Sequence, residues 1–284
     1  MTPIVAIHGI GNQYSGETTM HTAWYPAMRD GLLLAGHDLT PDRLSCAFYG
    51  DTFRKAARVL AAGTPPYDAS DVTDGLEQDL LMAWWAEAAR SDAAVIAPSA
   101  RTLGRTPKSV QNALNALSGS QFFAGLAERM MILSLIQVRK YLTEDPTRSA
   151  AIERVAHRIT ADTRVIVGHS LGSVVAYEAL CANPQWPVRA LVTLGSPLGV
   201  RNLIFDRLRP SPAGGVGRWP GQVTRWTNIA DRGDVVALVK DLSPRFGDGV
   251  RSVEVDCGSK AHDAGRYLTA EATGAAIAEG LTHA

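Results

Sequence analysis

The chain has 284 residues, 46% of them hydrophobic, enough to bury the core of one large domain carrying an insertion. Its 28 Lys and Arg balance 28 Asp and Glu, and the arginines are scattered, which argues against nucleic acid or another polyanion as partner. The three cysteines, Cys46, Cys181 and Cys257, lack paired spacing, which argues against a disulfide framework and a zinc site and for reduced, cytoplasmic thiols.

Pro3 to His8 reads as a buried strand, because no basic stretch precedes its short apolar run as a signal peptide would require. A loop, Gly9-Ile10-Gly11-Asn12-Gln13, follows, then a helix from His21 to Ala35 and a strand from Leu44 to Tyr49. The strand pattern then lapses, and Leu76 to Arg90 and Val110 to Leu142 read as helices. The expected division is an α/β core of residues 1–50 and 147–284, with a helical insertion of 51–146 placed either as a cap or lid over the carboxyl ends of the strands or as a helical subdomain packed at one side. Within the insertion, Met130 to Val138 falls far short of the ~18 apolar residues of a membrane span, so it is read as a buried or lipid-touching helix. Helices are expected at Ala150 to Thr160, Ser173 to Ala182 and Arg266 to Glu279. Strands are expected at Arg164 to Gly168, Arg189 to Leu194, Val223 to Ile229 and Val250 to Asp256, and a loop at Ser211 to Gly217. Alternating strands and helices predict a doubly wound α/β fold with a mostly parallel sheet of about six strands.

Gly168-His169-Ser170-Leu171-Gly172 sits between a β-branched strand and an apolar helix, which is the setting of a G-x-S-x-G nucleophile elbow. A strand that reverses into a helix within a few residues holds its serine in a strained turn, and the glycines make room for it. A serine hydroxyl needs a histidine base oriented by a carboxylate, in the chain order Ser, acid, His. After Ser170 only His262 and His283 remain, and His283 is next to last in the sequence, so His262 is the expected base. For the acid, Asp231 and Asp234 both leave the fifth strand. Asp234 is favoured because an apolar run follows it, whereas Asp231 beside Arg232-Gly233 suits a turn. Asp256, Asp263 and Asp206 are less well placed. The oxyanion donors are expected to be the amides of Leu171 and of Ile10, with Gly11 second to Ile10. His8 and His169 are read as structural or pocket-lining groups rather than bases.

With these pieces the chain resembles the α/β-hydrolase superfamily, across most of its length outside the insertion. Asn228 to Val236 looks like the Asn-x-x-Asp-x-Val region of lipase-type members, where the aspartate before the valine is the acid, which supports Asp234. The resemblance implies a truncated sheet, because the family's eight strands would lack their first two here. Gly195-Ser196-Pro197-Leu198-Gly199 is similar to a segment near the active site of those relatives, and Ser196 is read as structural or lining.

Other readings fit less well. Gly9-Ile10-Gly11 lacks the third glycine of a dinucleotide fingerprint, since position 14 is Tyr14, and no phosphate-loop or metal-protease pattern occurs, so no cofactor or metal is expected. A non-catalytic interaction protein on a hydrolase scaffold is the rival outside enzymes. Within them, the expectation is a serine esterase or lipase-like hydrolase acting on a small-molecule or lipid-like acyl substrate, with thioesterase, amidase, acyltransferase or cyclase as alternatives. Trp84, Trp85, Phe122, Phe123, Met130 and Met131 are read either as the lining of an acyl pocket or as ordinary helix packing.

Overall fold

Each of the six β-branched or apolar runs contributes a strand, and the six strands join one sheet. The computed structural model describes residues 2–54, 67–73, 75–98, 106–120 and 128–282. The strands are β1 (Ile4–Ile7), β2 (Leu44–Ala47), β3 (Val165–His169), β4 (Ala190–Leu194), β5 (Arg225–Asp231) and β6 (Val250–Val255). All pairs are parallel, in the order β2-β1-β3-β4-β5-β6. Parallel strands covered on both faces are apolar throughout, and β1, β3 and β4 are accordingly buried at every position. Edge strand β6 instead exposes Arg251 and Glu254, charges that discourage pairing with another chain.

The helices are α1 (Glu17–Leu34), α2 (Leu76–Ser91), α3 (Pro107–Ser118), α4 (Glu128–Thr143), α5 (Asp145–Ala156), α6 (Leu171–Ala182), α7 (Ser243–Phe246), α8 (Ala264–Thr269) and α9 (Glu271–Thr282). One sheet face, through Ile4, Ala6, Val165, Val167 and Ile229, packs on α1, α8 and α9. The other, through Val5, Ile7, Ile166, Leu191 and Trp226, packs on α6 and shares one core with α2 to α5 and α7. Trp84, Trp85 and Met131 are buried in this second core, and Trp85 Nε1 donates to the Ile96 carbonyl at 2.8 Å, so these side chains pack helices. Met130 is half-buried, while Phe122 and Phe123 lie outside the described residues. Met130 to Val138 is part of α4, and among the described residues no helix is long and apolar enough to cross a membrane. All three cysteines are buried and unpaired.

Two long helical stretches divide. Residues 110–142 contain α3 and α4, with 121–127 outside the described residues. The stretch expected as one helix from Arg266 to Glu279 breaks at Ala270, whose ψ is 134°. There the Thr273 hydroxyl donates to the Tyr267 carbonyl at 2.6 Å, capping α8 in place of a continuing helical bond.

β1 has β2 on one side and β3 on the other, so the chain order reverses beside it. Ligand crevices of open α/β sheets form outside the carboxyl ends of the strands at such a reversal. Gly9-Ile10-Gly11 leaves β1 there, and Ser170 leaves β3.

Candidate active site

Ser170 lies between β3 and α6 with φ 53° and ψ −128°, a left-handed conformation that costs about 1–3 kcal/mol for a residue with a side chain. Several bonds hold it there. Its amide donates to the Leu194 carbonyl at 2.9 Å, and its carbonyl accepts the Ser173 hydroxyl at 2.6 Å. The single Ser173 proton is thereby used, so in the 2.7 Å contact between the hydroxyls Ser196 donates to Ser173. Ser196 also accepts the Leu198 amide at 3.2 Å and is fully buried, so it braces the elbow from behind. A Cβ on Gly172 would sit 2.4 Å from the carbonyl oxygens of both Ile7 and His8, so only glycine lets α6 meet the end of β1.

His262, on the turn after β6, places Nε2 2.9 Å from Ser170 Oγ and Nδ1 2.7 Å from Asp234 Oδ2. An ionised carboxylate only accepts, so Nδ1 carries the proton and Nε2 is open to the Ser170 hydroxyl. Asp234 is fully buried and well supplied with donors. Oδ1 accepts the Val236 and Ala237 amides at 2.8 and 3.2 Å, and Oδ2 accepts the Tyr267 hydroxyl at 2.8 Å as well as His262. The Tyr267 oxygen itself accepts the Asp231 amide at 2.7 Å, which aims its proton at Asp234. Burial pushes the Asp234 carboxyl up, but His262, the Tyr267 bond and Lys240 outweigh it and hold the group below the usual carboxylate value.

The loop carrying Asp234 is closed on itself. Asn228 Nδ2 donates to the Lys240 carbonyl at 2.8 Å, and Lys240 Nζ donates to the Asp234 carbonyl at 2.5 Å. Every other weighed acid accepts main-chain amides. Asp231 accepts the Gly233 amide at 2.7 Å and the Cys257 amide, tying β5 to the end of β6. Asp256 accepts the Gly258 amide, Asp263 caps α8 through the Arg266 amide, and Asp206 accepts the Asn202 amide.

His8 and His169 brace main chain. His8 Nε2 accepts the Tyr49 and Gly50 amides, each at 3.1 Å, so Nδ1 is protonated and donates to the Gly9 carbonyl at 2.6 Å. His169 Nε2 donates to the His262 carbonyl at 3.0 Å. Desolvation lowers His8 to about 4 and, with the neighbouring His262 ring, lowers His169 to about 3. Both are neutral near pH 7. As pH falls from the ordinary value of 6.5 towards 4, the unfolded chain binds protons that these two rings refuse, so stability is lost. Urea unfolding followed from pH 7 to pH 4 should lose on the order of 3 kcal/mol per histidine; an unchanged midpoint would show that the rings are not held neutral.

The loop after β1 lies against the serine, since a Cβ on Gly9 would come within 2.6 Å of Ser170 Cβ. Of its two weighed amides, Gly11 donates to Gln137 Oε1 at 3.0 Å and is taken. The Ile10 and Leu171 amides donate to no group among the described residues. Among the described residues no cluster of His, Cys, Asp or Glu is arranged to hold a metal ion.

Sequence reasoning did not reach Tyr267, Lys240 or Gln137, which hold the site from α8, the loop after β5 and α4. Tyr267 follows His262 closely in sequence, but its partner Asp234 lies 33 residues away, a contact that no local pattern signals. Tyr267→Phe strands the Asp231 amide and removes one donor from buried Asp234, so a loss of about 1–3 kcal/mol is expected in urea unfolding. A variant as stable as the parent would remove Tyr267 from the brace. Compared with known proteins, the sequence matches no protein-family model and no curated protein.

Proposed function

We propose that the chain is a serine hydrolase of the α/β-hydrolase kind that cleaves carboxylic esters with an apolar acyl group. The observation that carries this reading is the unbroken chain from Ser170 Oγ through His262 to Asp234, at 2.9 and 2.7 Å, with the serine at φ 53° on a strand-to-helix turn. The half-buried apolar Ile10, on the loop that lies against Ser170, favours an apolar acyl group.

Ser170 Oγ attacks the ester carbonyl as its proton passes to His262 Nε2, and Asp234 stabilises the imidazolium. The carbonyl oxygen takes the negative charge and is received by the Ile10 and Leu171 amides. Collapse expels the alcohol, which takes the proton from His262, and leaves the acyl group on Ser170. Water then attacks with His262 again as base, and the carboxylic acid departs.

The test is a fluorophosphonate probe with adduct mapping, run beside hydrolysis of p-nitrophenyl esters of increasing acyl length. A single adduct on Ser170, with turnover that rises as the acyl group lengthens, is the expected result. A folded protein that neither takes the probe nor turns over any ester would overturn the reading and favour an interaction protein.

A further inference from the structure

The loop after β1 is pinned from both sides. Its carbonyls are occupied: Gly9 O accepts His8 Nδ1 at 2.6 Å and Asn12 Nδ2 at 3.2 Å, and Ile10 O accepts Asn12 Nδ2 at 3.2 Å. Further along, Arg54 holds the Gln13 and Ser15 carbonyls at 2.6 and 2.9 Å. In a trans peptide the C=O and N–H point opposite ways, so fixing Gly9 O also fixes the direction of the Ile10 N–H. The next peptide, Ile10 to Gly11, is held at its oxygen by Asn12 and at its nitrogen by Gln137.

Gln137 comes from α4, in the insertion, and is almost fully buried. Its orientation follows from donor and acceptor chemistry. The Gly11 amide can only donate, so Oε1 faces it at 3.0 Å, and Nε2 is left to donate to Gln13 Oε1 at 2.9 Å. Gly11 has φ +85°, and glycine crosses between positive and negative φ readily. Without Gln137 nothing on the nitrogen side stops this peptide from turning and presenting a carbonyl oxygen to the site.

We infer that Gln137 is a positioning residue of the inserted helix: it keeps the Ile10 to Gly11 peptide from turning its carbonyl into the site, and so keeps the neighbouring Gly9 to Ile10 peptide, joined to it at the Ile10 Cα, with the Ile10 amide facing the oxygen of a bound carbonyl. This rests on the hydrolase reading above and extends it, because it makes the insertion part of the reacting machinery. A donor held in place stabilises the tetrahedral oxyanion more than the ground-state carbonyl, so the residue acts on kcat rather than KM.

The test compares Gln137→Leu, Gln137→Glu and Asn12→Ala with the parent, on the best p-nitrophenyl ester and with a trifluoromethyl ketone that forms a tetrahedral adduct on the serine. Gln137→Leu should lower kcat by about 10- to 100-fold with KM within about twofold, and weaken the ketone by the same factor. Gln137→Glu keeps an acceptor for the Gly11 amide and should recover most of the loss. Asn12→Ala frees the same peptide from its oxygen side at a half-buried position and should give the same signature. Unchanged kcat in both Gln137→Leu and Asn12→Ala, or a loss carried by KM alone, would overturn the inference. Hydrogen exchange at the Gly11 amide reads the clamp without any turnover, slow in the parent and fast in Gln137→Leu; equal rates would overturn it too. A parent that turns over no ester but shows this exchange difference would fail the hydrolase reading while leaving the clamp in place.

Discussion

Ser170→Ala is expected to lower kcat by about a million-fold, to the level left by binding alone, with unfolding free energy changed by less than about 1 kcal/mol. The hydroxyl is the attacking atom of the proposed reaction, and no neighbour replaces it. The Ser173 and Ser196 hydroxyls are tied into the elbow, Ser173 on the Ser170 carbonyl and Ser196 on Ser173. Those bonds grip the main chain of residue 170, so they survive the substitution, and alanine meets the same cost at φ 53° as serine does. Steady-state kinetics with urea unfolding on the same preparations check both halves. Turnover that persists in a folded variant would place the chemistry elsewhere.

Asp234→Asn is expected to lower kcat by about ten thousand-fold at nearly unchanged shape, the size of effect seen when a triad acid becomes an amide. The amide NH₂ would meet His262 Nδ1 as a donor and favour the tautomer with the proton on Nε2, which cannot take the Ser170 proton. Asp231→Asn makes the contrast. Asp231 gives its two oxygens to the Gly233 and Cys257 amides, so its replacement should cost about 1–3 kcal/mol of stability with kcat within a few-fold of the parent. Kinetics and unfolding of the two variants decide it, and an inverted pattern would exchange their roles.

Much of this site is legible from local sequence. β-branched or apolar runs set the six strands, and the strand, turn and helix around Gly168 to Gly172 point to Ser170 because close main-chain approach there requires glycine. Chain order brings in His262, and the apolar run after Asp234 separates it from Asp231. What stays hidden depends on contacts between distant segments. Gln137 shows only as a polar residue in an apolar helix, and its partner Gly11 lies 126 residues away. Tyr267 falls inside what reads as one continuous helix until Thr273 ends α8. The helices of 51–146 carry an apolar periodicity that says they pack, but not that α2 to α4 share a core with Val5 and Ile166.

The position of β1, one strand in from the edge and between β2 and β3, has a consequence for synthesis. Ile4 pairs with Val165, so a ribosome making about 5–20 residues per second takes roughly 8–30 seconds between the two strands. During that interval β1 has β2 as its one partner, and its other edge, an Ile-Val-Ala-Ile run, stays open. Protection of that edge during translation falls to whatever holds the nascent chain, and ends only when β3 emerges and closes the sheet beside it.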